Sequence, residues 1–206
     1  RIKRQTQKWI KNHKINYEIG KHTEEVYKNK DFIVVSPGIR LDIPVLLKAK
    51  EIGIPIIGEI ELSYLLSPKG LTVAITGTSG KSTTTTLIGE ILKRGGLKTI
   101  VAGNIGLPFS EKIDELTKDS KIVLEISAFQ LETIRTFRPN IAVFLNLKED
   151  HLDRYSSFEE YKTTKERIFL NQKKDDFAIL NFDDSLVSKF KEKTKAYSIY
   201  FSKRCK

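Results

Sequence analysis

Methionine is absent from the chain and cysteine occurs once, as Cys205, among 206 residues. A single cysteine excludes an internal disulfide framework, which makes a reducing compartment the simplest setting. Absence of methionine even at position 1 leads to the expectation that the chain is an excerpt of a longer product. No apolar run approaches the ~20 residues needed to cross a bilayer. The opening RIKRQTQKWIKNHK also lacks the apolar stretch of a secretory leader. A globular cytoplasmic protein with no membrane partner is therefore expected. There is no internal repeat and no low-complexity segment, and 39% hydrophobic content lets the chain bury one large core or two small ones.

Negative charge is in the minority: 36 Lys and Arg against 26 Asp and Glu leave a net charge of +10. Such a balance raises nucleic acid as a partner. The basic residues are dispersed among acidic ones, however, on stretches that read as amphipathic helices. An anionic small molecule such as a nucleotide explains the same balance.

What is present is concentrated in Leu71 to Gly96. Leu71, Val73, Ala74 and Ile75 form a short β-forming run that ends in Thr76-Gly77-Thr78-Ser79-Gly80-Lys81-Ser82. Leu87, Ile88, Ile91 and Leu92 then recur at helical spacing until Gly95-Gly96. Strand, glycine turn, lysine, hydroxyl and helix describe a cradle for a polyphosphate. Glycines let backbone N–H groups converge, and the helix directs its partial positive charge at the same point. Lys81 is then expected to pair with the β- and γ-phosphates of a nucleotide, with Gly77 and Gly80 shaping the turn and the Ser82 hydroxyl on Mg²⁺. The common form of this motif has a further glycine five residues before Gly80, where this chain has Ile75.

Around this stretch, strand-like and helix-like segments alternate, which predicts an α/β fold with a parallel, doubly wound sheet. A basic helix over Ile2 to His13, an extended piece over Ile15 to Ile19, a short helix near Glu24, a strand at Phe32 to Val35, a helix opened by Pro44, a strand at Ile54 to Ile57 and a helix from Glu59 to Leu66 come first. Ser67-Pro68-Lys69-Gly70 is the expected boundary between domains at 1–67 and 71–206. Further strands are expected near Thr99, Ile122, Ile141, Phe177 and Tyr197.

Ligand sites in such sheets gather outside the carboxyl ends of the strands, which makes a constellation of scattered polar residues. Glu125 has apolar neighbours, so it is either buried beside a cation such as Mg²⁺ or exposed on an edge strand. His151 lies among carboxylates in Glu149-Asp150-His151-Leu152-Asp153-Arg154, and spacing alone leaves it between a structural and a functional role. Asn104, between Gly103 and Gly106, either meets a ligand or holds a turn. Ser157 and Glu160 predict a capping box. The helix that follows has a stripe of Phe158, Tyr161, Ile168 and Phe169 in which Lys165 occupies an inward position, as a functional amine or as a snorkelling surface lysine.

Taken together, these segments resemble the Mur ligases, and among them the D-glutamate-adding branch. The resemblance is carried by Ser36-Pro37-Gly38-Ile39, Gly58-Glu59-Ile60-Glu61-Leu62, the 76–83 loop, Gly103-Asn104-Ile105-Gly106, Glu125-Ile126-Ser127-Ala128-Phe129-Gln130-Leu131-Glu132, Asp150 to Arg154 and Lys165 to Phe169. It implies the end of a Rossmann-like N-terminal domain followed by part of a P-loop ATP-binding central domain, with a C-terminal domain absent and residues 1–206 inactive by themselves. It further implies an ATP-dependent amide ligase that joins D-glutamate to UDP-N-acetylmuramoyl-L-alanine through an acyl phosphate, with ATP and Mg²⁺ as cofactors. Ser82 and Glu125 would hold one Mg²⁺, His151 and a carbamylated Lys165 a second. Asn104, Ser127 and Gln130 would contact the UDP-sugar, with Gly38 near its nucleotide moiety. Lys81, His151 and Lys165 would be the catalytic residues, and the ATP-binding set would extend from Gly77, Gly80, Lys81 and Ser82 to Thr78, Ser79 and Thr83. Ala128 departs from the serine usual at its position. A monomer with no nucleic-acid partner is expected. The rival readings are a folylpolyglutamate synthase-like ligase of the same superfamily, a basic P-loop ATPase acting on nucleic acid, and a nucleotide-binding module without catalysis.

Overall fold

Helix signals near the start of the chain are strong in charge and weak in apolar surface, and the elements they form are short. The computed structural model describes residues 4–204. The first positions of the expected opening helix, and Cys205 with the expectation attached to it, lie outside that range. Two units pack separately: residues up to Ile33 with Arg40–Ile56, and Val34–Ile39 with the residues from Ile57 on.

The smaller unit contains α1 (Arg4–Asn12) and a single 3₁₀ turn at Glu24–Val26. Strand β1 (Ile33–Val35) leads out of it, and α2 (Pro44–Glu51) starts on a proline whose missing N–H costs nothing at a helix N-terminus. Strand β2 (Ile56–Gly58) pairs with β1. The expected extended piece at Ile15–Ile19 is irregular instead. Ile15, Tyr17 and Ile19 are 44%, 43% and 58% exposed. Apolar alternation makes a strand only where a neighbouring strand takes its N–H and C=O groups.

The larger unit begins with α3 (Glu59–Leu66) and continues through β3 (Leu71–Thr76), α4 (Lys81–Arg94), β4 (Thr99–Gly103), β5 (Lys121–Glu125), α5 (Ala128–Leu131), β6 (Ile141–Phe144), α6 (Phe158–Glu166), β7 (Phe177–Asn181) and β8 (Tyr197–Phe201). The six strands form one sheet in the order β4-β5-β3-β6-β7-β8, and each pairing is parallel. Alternation along each strand sorts the two faces. Val73, Ile75, Val123 and Val143 face α4 through Ile88 and Leu92. Ala74, Ala102, Ala142 and Ala178 face the other way. Their small side chains leave room for Phe144, Phe169 and Phe190, whose rings meet at 4.9–6.2 Å.

From β3 the chain moves two places to one side, returns through β5, and crosses to β6 on the other side. The strand order therefore reverses at the carboxyl end of β3, which is where the glycine loop lies. Helix α3 is fixed by Glu61, whose buried carboxylate accepts the backbone N–H groups of Arg135, Thr136 and Phe137 at 2.8, 2.8 and 3.0 Å. At α6 the expected capping box forms only in part. Ser157 Oγ accepts from Glu160 N at 3.2 Å, but the Glu160 carboxylate takes the Ser156 N–H and hydroxyl at 2.7 and 2.6 Å rather than reaching the N-cap amide. The neighbouring serine offers two donors where the cap amide offers one.

Candidate active site

Gly77 turns the chain out of β3 with φ of 151°, a conformation open to glycine. A Cβ there would stand 3.1 Å from Leu145 Cβ and 3.3 Å from the backbone of Asn146. That closeness lets Asn146, just past β6, clamp the loop. Its carbonyl accepts from Thr78 N at 3.0 Å, its Oδ1 from Ser79 N at 2.9 Å, and its Nδ2 donates to Ser79 O at 3.0 Å. Thr78 Oγ1 adds hydrogen bonds to the backbone of Lys148. The clamp is itself held from β7, because Asn181 Nδ2 donates to Leu145 O at 2.8 Å and Asp184 accepts from Leu147 N at 2.9 Å. Helix α4 begins directly at Lys81, so the free N–H groups of its first turn, and Ser82 and Thr83 with them, border the loop.

Two amines meet at one carbonyl. Lys81 Nζ donates to Gly77 O at 3.0 Å and to Thr78 O at 2.9 Å, and Lys165 Nζ donates to the same Gly77 O at 2.9 Å. Lys165 is 1% exposed, so the inward position read from the helical stripe is where it lies. Burial, and then repulsion from Lys81, push its ammonium down to about 7, against the pull of Asp150 and Glu125.

Glu125, at the end of β5, is 2% exposed and sits next to the central strand, which excludes the edge-strand reading. Asn104 Nδ2 donates to its Oε1 at 2.8 Å, while Oε2 is buried with no hydrogen-bond partner. An orphaned carboxylate oxygen of this kind fits a cation. Among the described residues no three His, Cys, Asp or Glu side chains gather as a metal cluster. A cation here would draw remaining ligands from hydroxyl, phosphate and water oxygens, which is the habit of Mg²⁺.

His151 has a left-handed backbone, φ 54°, and an exposed ring beside Asp150 at 3.5 Å. The ring lies 4.7 Å from that of Phe129 and 6.1 Å from that of Tyr161. Lys165 Nζ stands 5.1 Å from the Tyr161 centroid, so His151 and Lys165 flank one buried tyrosine. Burial raises the Tyr161 phenol, whose oxygen is 3.4 Å from Thr78 Oγ1. Ser127 and Gln130 form a capping box on α5: Gln130 N donates to Ser127 Oγ at 3.4 Å and Ser127 N to Gln130 Oε1 at 3.0 Å. Ala128 is buried in the core between them. Gly38 lies in the turn after β1, where a Cβ would meet nothing within 4 Å. Asn146, Tyr161 and Phe129 were not singled out as site residues from the sequence. The Asn146 clamp and the contact of Tyr161 with Thr78 join residues 67 or more positions apart, and only the strand-end position of Asn146 hinted at a role.

Residues 75–205 match the Mur ligase middle domain and residues 1–58 the Mur ligase MurD-like N-terminal domain. The "UDP-N-acetylmuramoylalanine--D-glutamate ligase" of Koribacter versatilis is 49% identical over 190 residues, 92% of this chain and 42% of that protein. The protein of the same name in Clostridioides difficile is 47% identical over 189 residues, with the same shares. The chain thus spans less than half the length of these curated relatives. Among solved structures it is similar to UDP-N-acetylmuramate:L-alanyl-gamma-D-glutamyl-meso-diaminopimelate ligase from Neisseria meningitides, at a TM-score of 0.62 and 16% identity over 98% of this chain and 68% of that one. It is also similar to MurF ligase from Thermotoga maritima in complex with ADP, at a TM-score of 0.57 and 21% identity over 89% of this chain and 50% of that one.

Proposed function

The chain belongs to the Mur ligase family, and from that premise we propose that it is the nucleotide- and UDP-sugar-binding portion of an ATP-dependent ligase that adds D-glutamate to UDP-N-acetylmuramoyl-L-alanine. The observation that carries this reading is the convergence of Lys81 and Lys165 on the Gly77 carbonyl beside a helix N-terminus and an unpartnered Glu125 oxygen. The Lys81 ammonium and the helix N-terminus bring positive charge there, which suits a reaction between polyanions.

In this reading a substrate carboxylate oxygen attacks the γ-phosphorus of ATP and ADP leaves. The amine of D-glutamate then attacks the resulting acyl phosphate, an amide forms, and inorganic phosphate and a proton depart. Lys81 exchanges its loop carbonyls for phosphate oxygens and offsets the charge that otherwise keeps two anions apart. Asn146 keeps the loop amides convergent, so their orientation costs nothing during reaction. Ser82 and Glu125 would hold one Mg²⁺, and His151 with a carbamylated Lys165 a second; bound magnesium supplies charge neutralisation at the phosphates. Lys165 suits carbamylation because its depressed ammonium leaves neutral amine near pH 7. That amine adds to carbon dioxide and releases a proton, and the product is an anionic ligand.

Gly38, Asn104, Ser127 and Gln130 line up with the UDP-sugar in this reading, and 1–67 and 71–206 act as its substrate-binding and ATP-binding domains. Asn104 also orients Glu125. We place the protein in the cytoplasm as a monomer, without a nucleic-acid or membrane partner. Among the described residues no helix is long and apolar enough to cross a membrane. The test is phosphate release by the complete protein. Release that requires both UDP-N-acetylmuramoyl-L-alanine and D-glutamate is expected, and Lys81→Ala is expected to lower it about a thousandfold. Hydrolysis driven by DNA or RNA in place of those substrates would overturn the reading.

A further inference from the structure

Arg154 makes a set of contacts that the mechanism above does not use. It follows His151 by three residues, and its amide donates to the His151 carbonyl at 3.0 Å. Its guanidinium forks onto Glu132, Nε to Oε1 at 3.2 Å and Nη2 to Oε2 at 2.7 Å, and lies 4.4 Å from the centre of the Phe129 ring. Other N–H groups reach the carbonyls of Gly38 at 3.3 Å and Ile39 at 3.0 Å. Those carbonyls belong to a turn closed by Ile39 N donating to Ser36 O at 3.0 Å.

The geometry is that of a fixed hub rather than a surface pair. The Arg154 and Glu132 side chains are 13% and 15% exposed, and Glu132 Oε1 also accepts the Tyr155 hydroxyl at 2.6 Å, which orients the carboxylate. Phe129, beneath the guanidinium, carries the His151 ring at 4.7 Å. One planar cation therefore joins three pieces far apart in sequence: the 36–39 turn, the end of α5 and the His151 segment. Lysine has three donors on one nitrogen and no planar fork, so it cannot meet both carboxylate oxygens side by side and still reach two carbonyls, which takes four hydrogen bonds.

We propose that Arg154 is a positioning residue that fixes the 36–39 turn to the His151 segment, so that a UDP-sugar seated on the turn by its nucleotide end delivers its carboxylate to the phosphate loop. This rests on the function proposed above. The complete protein is compared with Arg154→Lys and Arg154→Met in steady-state kinetics and in amide hydrogen exchange. In both variants KM for UDP-N-acetylmuramoyl-L-alanine is expected to rise about tenfold and KM for ATP to stay within about twofold. Amides at 38–40 are expected to exchange faster while those at 78–82 do not change. A general loss of folding would lower active enzyme without splitting the two KM values. An unchanged KM for the UDP-sugar in folded Arg154→Lys, or unchanged exchange in the turn, overturns the proposal. If the unsubstituted protein releases no phosphate with both substrates, the ligase reading fails instead. Exchange at 38–40 then decides the tie alone: faster exchange upholds it and unchanged exchange removes it.

Discussion

Replacing Lys165 by methionine is expected to stabilise the fold in mild acid while abolishing turnover. The amine falls from 10.5 to about 7 because burial penalises the ammonium and Lys81 repels it. At about 1.4 kcal/mol per unit, a fully protonated Lys165 costs the folded state about 5 kcal/mol. The pH window follows from proton counting. Below 7 both folded and unfolded states hold the proton and the whole cost is present. Between 7 and 10.5 the unfolded chain binds a proton that the folded one does not, so stability rises with pH. Above 10.5 the cost is gone. Methionine has similar length and no charge, but it gives up the donations to Gly77 O at 2.9 Å and Thr76 Oγ1 at 3.4 Å. Those hydrogen bonds contribute roughly 1 kcal/mol each. The variant is therefore expected to exceed the parent by about 3 kcal/mol at pH 6 and to match it to within about 1 kcal/mol at pH 9. Urea denaturation of the complete protein in carbon dioxide-free buffer with chelator measures the difference at each pH. A difference that is the same at both pH values, or a variant less stable at pH 6, refutes the buried-ammonium argument. Added ¹³C-bicarbonate is expected to label the parent at this amine and to leave Lys165→Met unlabelled.

Glu61→Ala leaves three backbone donors without their acceptor and is expected to lower stability by about 3 kcal/mol, read from chemical denaturation. Glu61→Gln, with one amide oxygen, is expected to recover part of that loss. Gly103→Ala drives a Cβ into the Glu125 carbonyl oxygen at a φ of 107°, so the end of β4 must shift. A loss of more than about 2 kcal/mol is expected in the same measurement, and an unperturbed midpoint would show that the strand end yields freely.

How much of the site can be read from sequence depends on how local its causes are. The glycine loop is legible because strand, glycines, lysine and helix follow one another within a few residues and each has its own signal. Burial of Lys165 is legible from the period of one helix. Glu125 is half legible: its apolar neighbours announce burial, but Asn104 as its partner follows from the register that sets Gly103 beside Glu125 in neighbouring strands. The Asn146 clamp needs β6 to lie against β3, and the reach of Arg154 to Gly38 crosses 116 positions. Neither leaves a mark in local composition. The misreading of Ile15–Ile19 has the same origin, since alternation is a property of the segment and a partner strand is not.

The strand order also sets a timetable for synthesis. β3 is made before either of its neighbours, and β4, which comes next from the ribosome, lies two places away. About 50 residues separate the end of β3 from the end of β5, a wait of about 3–10 s at usual elongation rates. Until then α4 can shelter only the Val73 and Ile75 side of the strand, and Ala74 awaits its cover. The clamp comes later still, because Asn146 emerges about 70 residues after Gly77. A nascent chain shorter than this carries the sequence of the glycine loop without the clamp that shapes it.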